Sequence, residues 1–346
     1  MQTFKIKGKS KTSCVYVGEK LDNLGNYLPS NKTIIITDKN IKKHYQDRFP
    51  HACPVITIGT GEKVKTLATL EHILKELIYH GCDRTSFIVG IGGGIVCDIA
   101  GFAASVFLRG VNFGFVSTSL LSQVDASVGG KTAVNLDSYK NMAGVFNLPE
   151  FVICDIDLLN TLPKKEISNG LAEIVKHALI CDSDMFDFIE NNKKNAIELD
   201  YNTILKLVIN SVKIKSDIVQ KDETESNERR KLNFGHTIGH AIEKIDNPGH
   251  GRAVSIGMVV AAQFSCQKNM IRKEDILRIK SVLQDLGLPI KLDYSANDIV
   301  QVVSRDKKKQ GSDLFYVFLE KIGKAKVEKI SFVKMNQFIE SYCLKP

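Results

Sequence analysis

The sequence predicts an α/β domain built on a parallel sheet, followed by a mainly α-helical domain. Strand-like and helix-like segments alternate through the first half of the chain, a pattern typical of parallel strands joined by crossover helices. A glycine-rich turn separates one of these strands from the next helix, and helical periodicity dominates after about residue 160. A chain of 346 residues has room for about two domains. We therefore expect domains over residues 1–160 and 161–346.

The elements of the first half follow from local patterns. Two β-branched runs, TIIITD at 33–38 and PVITIG at 54–59, predict strands. The segment 64–81 has apolar residues at helical spacing and closes with Gly81, which predicts a helix. FIVGI at 87–91 predicts a buried strand, and a helix-like segment follows the glycines after it. Strands and helices in this order indicate one parallel sheet.

The second half is predicted to be mostly helical. Four segments carry helical apolar stripes, at 170–180, 203–220, 253–267 and 275–287. No internal repeat or low-complexity segment interrupts them. We therefore expect a helical domain here.

Composition excludes several classes of protein. The net charge is +8, but acidic residues are interspersed with basic ones, so we expect no nucleic-acid partner and attribute the excess to an anionic small substrate. No apolar run is long enough to span a bilayer, and the first residues do not read as a secretory signal. The eight cysteines form no CxxC pair. These features predict a cytoplasmic protein with reduced thiols and no membrane partner.

The glycine-rich turn lies in IVGIGGGIVCDIAG at 88–101. Backbone amides at the start of a helix bind phosphate, which makes the turn a candidate nucleotide site. Ile95 occupies the place of the third glycine in the dinucleotide fingerprint, so a purely structural turn is an equal alternative. Asp98 is harder to explain by packing, because an acid there can cap amides or accept ribose hydroxyls.

Glycines and lysines are combined in the segment 118–144, which contains Asp125, Lys131, Lys140 and Asn141. Glycine lets the backbone approach a ligand closely, and lysine offers a cation to phosphate or carboxylate. A solvated loop is the alternative interpretation. The density of glycine favours ligand contact.

Histidines concentrate after residue 235. His236 and His240 share one helical face, and His250 follows a Pro-Gly loop. Glu173 and Lys176 lie one turn apart on an apolar helix, which indicates either an ion pair or an inward-facing site. Two histidines with Glu173 would form a His₂Glu set, typical of catalytic zinc. Structural histidines are the alternative.

Several motifs together closely resemble the 3-dehydroquinate synthase family. They are GGG with an aspartate at 92–98, DASVGGKTAVN at 125–135, KN at 140–141, GLAEIVKHA at 170–178, and LNFGHTIGHA at 232–241 with HG at 250–251. Their order and spacing make the resemblance specific, and it extends from about residue 38 to residue 309. One departure is Cys97, which stands where the family usually has glycine.

The resemblance implies an NAD-binding α/β domain, a helical domain that binds metal and substrate, and a homodimer. The cofactors would be NAD and one divalent metal, zinc or in some members cobalt. The reaction would convert 3-deoxy-D-arabino-heptulosonate 7-phosphate, a phosphorylated sugar acid of the shikimate pathway, into 3-dehydroquinate and phosphate. It would proceed by transient NAD-dependent oxidation, phosphate elimination, reduction, ring opening and aldol closure, which makes the enzyme a lyase.

The resemblance also assigns roles to individual positions. Metal ligands would be Glu173, His236 and His250. NAD contacts would be Asp38, Asn40, Glu62, Lys65, Gly92, Gly93, Gly94, Asp98, Thr118, Ser119, Lys140, Leu158, Thr161 and Asn169. Catalytic or substrate positions would be Asp125, Lys131, Asn141, Lys176, Lys215, Glu225, Arg229, Asn233, His240 and one of Lys307 and Lys308. Arg109 would reach substrate across the dimer interface.

The resemblance also divides the substrate positions into groups. Lys131, Asn141, Asn233, His240 and a C-terminal lysine would hold the phosphate. Lys215 and Arg229 would meet the carboxylate and hydroxyls, while Glu225 and His240 would accept protons.

Other activities are open on the sequence alone. A sugar-phosphate cyclase of the 2-deoxy-scyllo-inosose synthase type and an iron-type polyol dehydrogenase share this plan. A non-catalytic paralogue is a third alternative, which so many buried polar groups disfavour. The Lys140–Asn141 pair and the LNFGHTIGHA motif favour 3-dehydroquinate synthase.

Overall fold

The computed structural model describes residues 1–9, 11–137, 139–305 and 313–343. The chain divides into two compact units. The first unit comprises Met1–Ile167 and Ile204–Thr224, and the second comprises Ser168–Thr203 and Glu225–Pro346.

Seven strands of the first unit form one sheet, in the order β1-β2-β9-β6-β5-β3-β4. They are β1 (Gln2–Lys7), β2 (Thr12–Val17), β3 (Thr33–Asp38), β4 (Val55–Ile58), β5 (Phe87–Gly92), β6 (Asn112–Ser117) and β9 (Phe151–Cys154). Only β1 pairs antiparallel with its neighbour, while the remaining neighbours are parallel. The interior strand β5 is buried along its whole length, as expected for a parallel strand covered on both faces.

Helices of the first unit pack on this sheet. They are α1 (Lys39–Tyr45), α2 (Leu67–Tyr79) and α3 (Gly94–Val106). Most of a later helix, α7 (Tyr201–Lys221), also belongs to the first unit. The Asp38 carboxylate accepts hydrogen bonds from Asn40 N and Ile41 N, which caps α1. Thr66 caps α2 in the same way, through Thr69 N. A separate antiparallel hairpin, β7 (Lys131–Leu136) and β8 (Tyr139–Phe146), packs against α3.

The second unit is mainly helical. Its remaining helices are α4 (Lys164–Cys181, which starts in the first unit), α5 (Ser183–Asn191), α6 (Lys193–Ile197), α8 (His236–Ile245), α9 (His250–Gln267), α10 (Lys273–Asp285), α11 (Ala296–Arg305) and α12 (Phe332–Cys343). A hairpin of β10 (Asp313–Lys321) and β11 (Lys324–Ser331) packs with them. Gly257 on α9 lets α8 approach closely, because a Cβ there would collide with Gly235 O.

The predicted fold class is confirmed, with a parallel sheet first and a largely helical region after it. The patterns did not predict β1, β2, β6, β9 or the two hairpins. Strand β8 is exposed along most of its length, so it lacks the alternation of buried and exposed side chains by which a strand is recognised in a sequence. None of the described helices is long and apolar enough to cross a membrane.

Candidate functional site

Three predicted ligands converge in the second unit. Glu173 lies in the middle of α4, while His236 and His250 are the first residues of α8 and α9. Glu173 Oε1 lies 3.8 Å from His236 Nε2 and 3.3 Å from His250 Nε2. Gly251 makes this possible, since a Cβ there would collide with the backbone of Asn169 on α4. Three side chains that are distant in sequence therefore share one small volume.

The donor set fits a zinc-like ion. A tetrahedral ion with bonds of about 2.0–2.2 Å separates neighbouring ligand atoms by roughly 3.3–3.6 Å. The two distances from Glu173 Oε1 bracket this range, and the three ligand atoms all lie within 4.8 Å of one another. Lys176 Nζ donates to the other carboxylate oxygen, Oε2. Among the described residues no hydrogen bond satisfies the buried Oε1, which is the atom that faces the imidazoles.

Both ligand histidines are oriented through Nδ1. His236 Nδ1 lies 3.2 Å from Phe234 O, and His250 Nδ1 lies 3.4 Å from Glu243 Oε2. A contact at Nδ1 fixes the ring and directs Nε2 toward the metal position. These contacts direct the Nε2 atom of each histidine toward the Glu173 carboxylate, as a shared metal position would require.

Protonation differs among the three ligands. Burial alone would raise the pKa of Glu173, but the Lys176 ammonium and the two imidazoles hold it well below its usual range. Burial and Lys176 keep the pKa of His236 well below its usual value, so this imidazole is neutral. Burial disfavours charged His250, yet Glu173 and Glu243 outweigh burial and raise its pKa to about 10. A metal must therefore displace a proton from His250 only.

Four more predicted positions, Glu225, Arg229, Asn233 and His240, belong to the second unit. His240 is exposed, and the centroid of its ring lies 5.2 Å from that of the His236 ring. It does not belong to the cluster of Glu173, His236 and His250. Asn233 Nδ2 donates to Glu225 Oε1 over 2.5 Å, so these two predicted substrate positions contact each other. Arg229 is only 2% exposed.

The glycine turn joins β5 to α3 in the first unit. Gly93 is the N-cap of α3 and provides no side-chain cap for the first amides. A Cβ on Gly94 would lie 3.0 Å from Ala126 Cβ, and one on Gly93 would lie 3.3 Å from Ser119 Oγ. Glycine at both positions therefore allows the turn to pack closely against Ser119 and Ala126. Cys97 is buried, with Sγ 3.7 Å from Gly92 O.

Other predicted NAD positions lie at the same sheet edge. Asp38 ends β3, Gly92 ends β5, and Thr118 follows β6. The carboxyl ends of parallel strands meet at one edge, where α/β proteins bind nucleotides. Leu158 and Thr161 belong to the turn after β9, and Tyr45 Oη contacts Leu158 O and Thr161 Oγ1. The sheet topology thus brings segments from four strands together.

Two lysines connect the polar positions of the first unit. Lys65 is 5% exposed, and its Nζ donates to Asp98 and to Asn141 Oδ1. Burial raises the pKa of Asp98 to about 6, although the Lys65 ammonium opposes this shift. Lys215 Nζ donates to both the carboxylate and the backbone carbonyl of Asp125.

The remaining predicted positions are more dispersed. Lys131, Lys140 and Arg109 are exposed, and Arg109 has a left-handed φ of 71°. Lys307 and Lys308 lie outside the described residues.

Two residues at these sites were missed by the sequence analysis. Glu243, on α8, holds His250, and Asn135, on β7, bonds to Glu62 and Asn141. Asn135 lies within the motif DASVGGKTAVN, and Glu243 follows His240 by less than one helical turn. The sequence around each residue does not predict which side chain it contacts.

Two family models match the chain. Residues 55–169 match the N-terminal domain of 3-dehydroquinate synthase, and residues 170–309 match its C-terminal domain. Among relatives, a 3-dehydroquinate synthase of Alkaliphilus metalliredigens (strain QYMF) is 37% identical over 91% of this chain and 91% of its own. That of Thermoanaerobacter pseudethanolicus (strain ATCC 33223 / 39E) is 39% identical over 95% of this chain and 97% of its own.

Solved structures share the fold. One is a 2-deoxy-scyllo-inosose synthase complexed with carbaglucose-6-phosphate, NAD⁺ and Co²⁺, with a TM-score of 0.86 at 27% identity. The match covers 98% of this chain and 100% of that chain. A 2-epi-5-epi-valiolone synthase from Streptomyces hygroscopicus subsp. jinggangensis 5008, with NAD⁺ and Zn²⁺ bound, has a TM-score of 0.89 at 23% identity, covering 99% and 98%. These two proteins share the architecture of both units.

Proposed function

Because this chain belongs to the 3-dehydroquinate synthase family, we propose that its Glu173, His236 and His250 form the metal centre of that reaction. The chain converts 3-deoxy-D-arabino-heptulosonate 7-phosphate into 3-dehydroquinate and phosphate, and its cofactors are NAD and a divalent metal. The overall reaction eliminates phosphate, so we assign the enzyme to the phosphorus–oxygen lyases. The relatives and both family models support this function over the alternatives.

The observation that carries the proposal is the convergence of the three ligand atoms. Glu173 is fully buried; its Oε2 is paired with Lys176, and its Oε1 faces the imidazoles of His236 and His250. A divalent ion bound there supplies Lewis acidity to substrate hydroxyls. Lys176 orients the carboxylate by donating to Oε2. We propose zinc as the native ion, with cobalt as a functional substitute.

We propose that NAD binds at the edge formed by the carboxyl ends of β3, β5 and β6. When bound there, NAD supplies the reversible oxidation that the reaction requires. The glycine turn would hold the pyrophosphate on the amides of α3, and Asp98 would accept ribose hydroxyls. Lys65 keeps the Asp98 carboxylate in place through their ion pair. The remaining cofactor contacts are proposed as the family resemblance implies.

We propose that substrate recognition and proton transfer use polar side chains of both units, as the family resemblance implies. Lys131 and Asn141 would hold the phosphate, with Asn233, His240 and one of the C-terminal lysines. Lys215 and Arg229 would meet the carboxylate and hydroxyls. Glu225 and His240 would accept protons, and Asn233 orients the Glu225 carboxylate by donating to Oε1. Asp125 holds the Lys215 ammonium in position.

We also propose a homodimer in which Arg109 reaches the partner's substrate. The hairpin of β7 and β8 supports it, because Leu136, Tyr139, Met142 and Phe146 are all exposed there. Exposed apolar side chains in such number mark an interaction surface more often than free solvent contact. Leu108, next to Arg109, is exposed as well.

Two broader assignments accompany this function. We propose that residues 1–160 carry NAD binding and that residues 161–346 carry most metal and substrate contacts. We also propose the cytoplasm as the location, which the eight free cysteines support.

The decisive experiment measures phosphate release from the heptulosonate phosphate, with NAD⁺ far below the substrate concentration. We expect many phosphates per NAD⁺ and no net NADH. His236→Ala should lose metal and activity together, while Glu166→Gln, an exposed acid on the same helix as Glu173, should retain both. Accumulation of NADH from a simple polyol, without phosphate release, would instead indicate a polyol dehydrogenase.

A further inference from the structure

The β7–β8 hairpin has an irregular register at Asn135. Val134 pairs with Ala143, whereas Leu136 pairs with Tyr139. Asn135 therefore faces the three residues 140–142, two of which are Lys140 and Asn141. Extra residues of this kind disrupt a ladder and redirect the side chains that they carry. The irregularity presents a proposed cofactor contact and a proposed substrate contact side by side.

Asn135 makes contacts on both sides of this irregularity. Its Nδ2 donates to Glu62 Oε1 over 2.7 Å, and its Oδ1 accepts from Asn141 N over 2.9 Å. Its backbone N donates to Lys65 O over 2.8 Å. One carboxamide thus joins the loop that carries Glu62 and Lys65 to the strand that carries Asn141.

Lys65 also bonds to Asn141 directly, through its side chain. Its Nζ donates to Asn141 Oδ1 and to the Asp98 carboxylate. Asn141 also has a left-handed φ of 56°, a conformation that a side chain rarely holds without local support. Asn135, Lys65 and Asn141 therefore form a closed ring of hydrogen bonds in the first unit. Glu62 and Asp98 are each bonded to one member of this ring.

We propose that Asn135 is a positioning residue that couples NAD⁺ binding to binding of the substrate phosphate. It acts through Glu62, Lys65 and Asn141, and the inference rests on the roles proposed above for those three residues. A ligand that orders Glu62 and Lys65 also orders Asn141 through the carboxamide. The second ligand then loses less conformational entropy, which produces positive cooperativity. A carboxamide carries its donor and its acceptor on two separate atoms, so it can reach Glu62 and Asn141 at once, whereas a hydroxyl has a single oxygen for both roles.

The test is calorimetric titration of the metal-loaded protein with NAD⁺, in the absence and presence of inorganic phosphate. We expect phosphate to tighten NAD⁺ binding at least about fivefold in the wild type, at the low end of typical coupling. Asn135→Ala should reduce this ratio to less than about twofold. Asn147→Ala is the matched control, since Asn147 is a half-buried amide next to the same hairpin that bonds to Ser105 and not to the cofactor loop. It should keep the wild-type ratio.

Asn135→Asp provides a second variant if Asn135→Ala does not fold. It keeps the acceptor for Asn141 N but replaces the donor to Glu62 with a second carboxylate, so the ratio should also fall. An unchanged ratio in a folded Asn135 variant, or a ratio of one in the wild type, overturns the inference. Turnover of the heptulosonate phosphate is measured in parallel. Lack of turnover in the wild type counts against the proposed function, whereas turnover with an unchanged ratio in the variant counts against the inference alone.

Discussion

His250 Nδ1 lies 3.4 Å from Glu243 Oε2, and this contact directs the opposite ring nitrogen toward Glu173. The two residues occupy different helices, α9 and α8, which pack against each other. Carboxylates that hold a ligand histidine by its second nitrogen raise its basicity and fix its orientation. Glu243 is therefore expected to determine how strongly the site holds its metal.

Glu243→Ala should weaken metal binding about 10- to 100-fold, because His250 loses its orienting carboxylate. Glu243→Gln should have a smaller effect, since its amide oxygen still accepts from Nδ1. Competition with a chelator measures the affinity, and the absorption spectrum of the Co²⁺-loaded protein reports the ligand geometry. Asp246→Ala is the control, because this acid caps the same helix and bonds to Tyr294 instead. Equal metal affinity in all four proteins would contradict the role of Glu243.

Metal binding should release about one proton at neutral pH. His250 has a pKa of about 10 without metal, whereas the pKa values of His236 and Glu173 are held well below their usual ranges. Only His250 is therefore protonated at neutral pH, and the metal must replace that proton. Apparent affinity should rise about tenfold per pH unit between pH ~7 and ~9, then level off near the His250 pKa. Titration calorimetry in buffers of different ionisation enthalpy counts the protons, and a count of zero would refute this assignment.

His240→Ala should retain near-stoichiometric metal while turnover falls by about 10²- to 10⁴-fold, as expected for a lost proton-transfer group. The reason is geometric: His240 lies one turn beyond His236 and outside the ligand cluster. Metal analysis and steady-state kinetics on one preparation separate the two roles. His72→Ala, on the exposed face of α2, should change neither quantity. Loss of metal from the His240 variant would make it a ligand, and unchanged turnover would leave it a structural residue.

Lys131→Ala should weaken substrate binding by roughly 1.5–3 kcal/mol and leave NAD⁺ binding nearly unchanged. Lys131 begins β7 and its side chain is exposed, and a lysine ammonium binds phosphate through a charge-assisted contact. Substrate KM and the NAD⁺ dissociation constant measure the two effects separately. Lys75→Ala, a surface lysine paired with Glu71, serves as the control. Comparable weakening of both ligands would mean that Lys131 serves the cofactor or the fold.

The sequence by itself determined the fold class and the chemistry of the candidate site. Runs such as TIIITD and FIVGI are buried strands because β-branched and apolar side chains pack well in a parallel sheet. The stripe at 64–81 forms α2 because helical spacing places its apolar side chains on one face. Residue type and the motifs around them made Glu173, His236 and His250 candidate metal ligands, since few other side chains bind zinc. Each of these properties belongs to a short segment or a single residue.

Only the tertiary structure decided which of these residues meet. The distances from Glu173 to the histidines depend on how α4, α8 and α9 pack, and no local pattern encodes that packing. The grouping of Ile204–Thr224 with the first unit is decided in the same way. Glu243 and Asn135 carry no distinctive sequence signal, because a carboxylate or a carboxamide acquires a role only from its partners. Those partners are brought within hydrogen-bond distance by contacts between segments far apart in the chain, which local periodicity cannot specify.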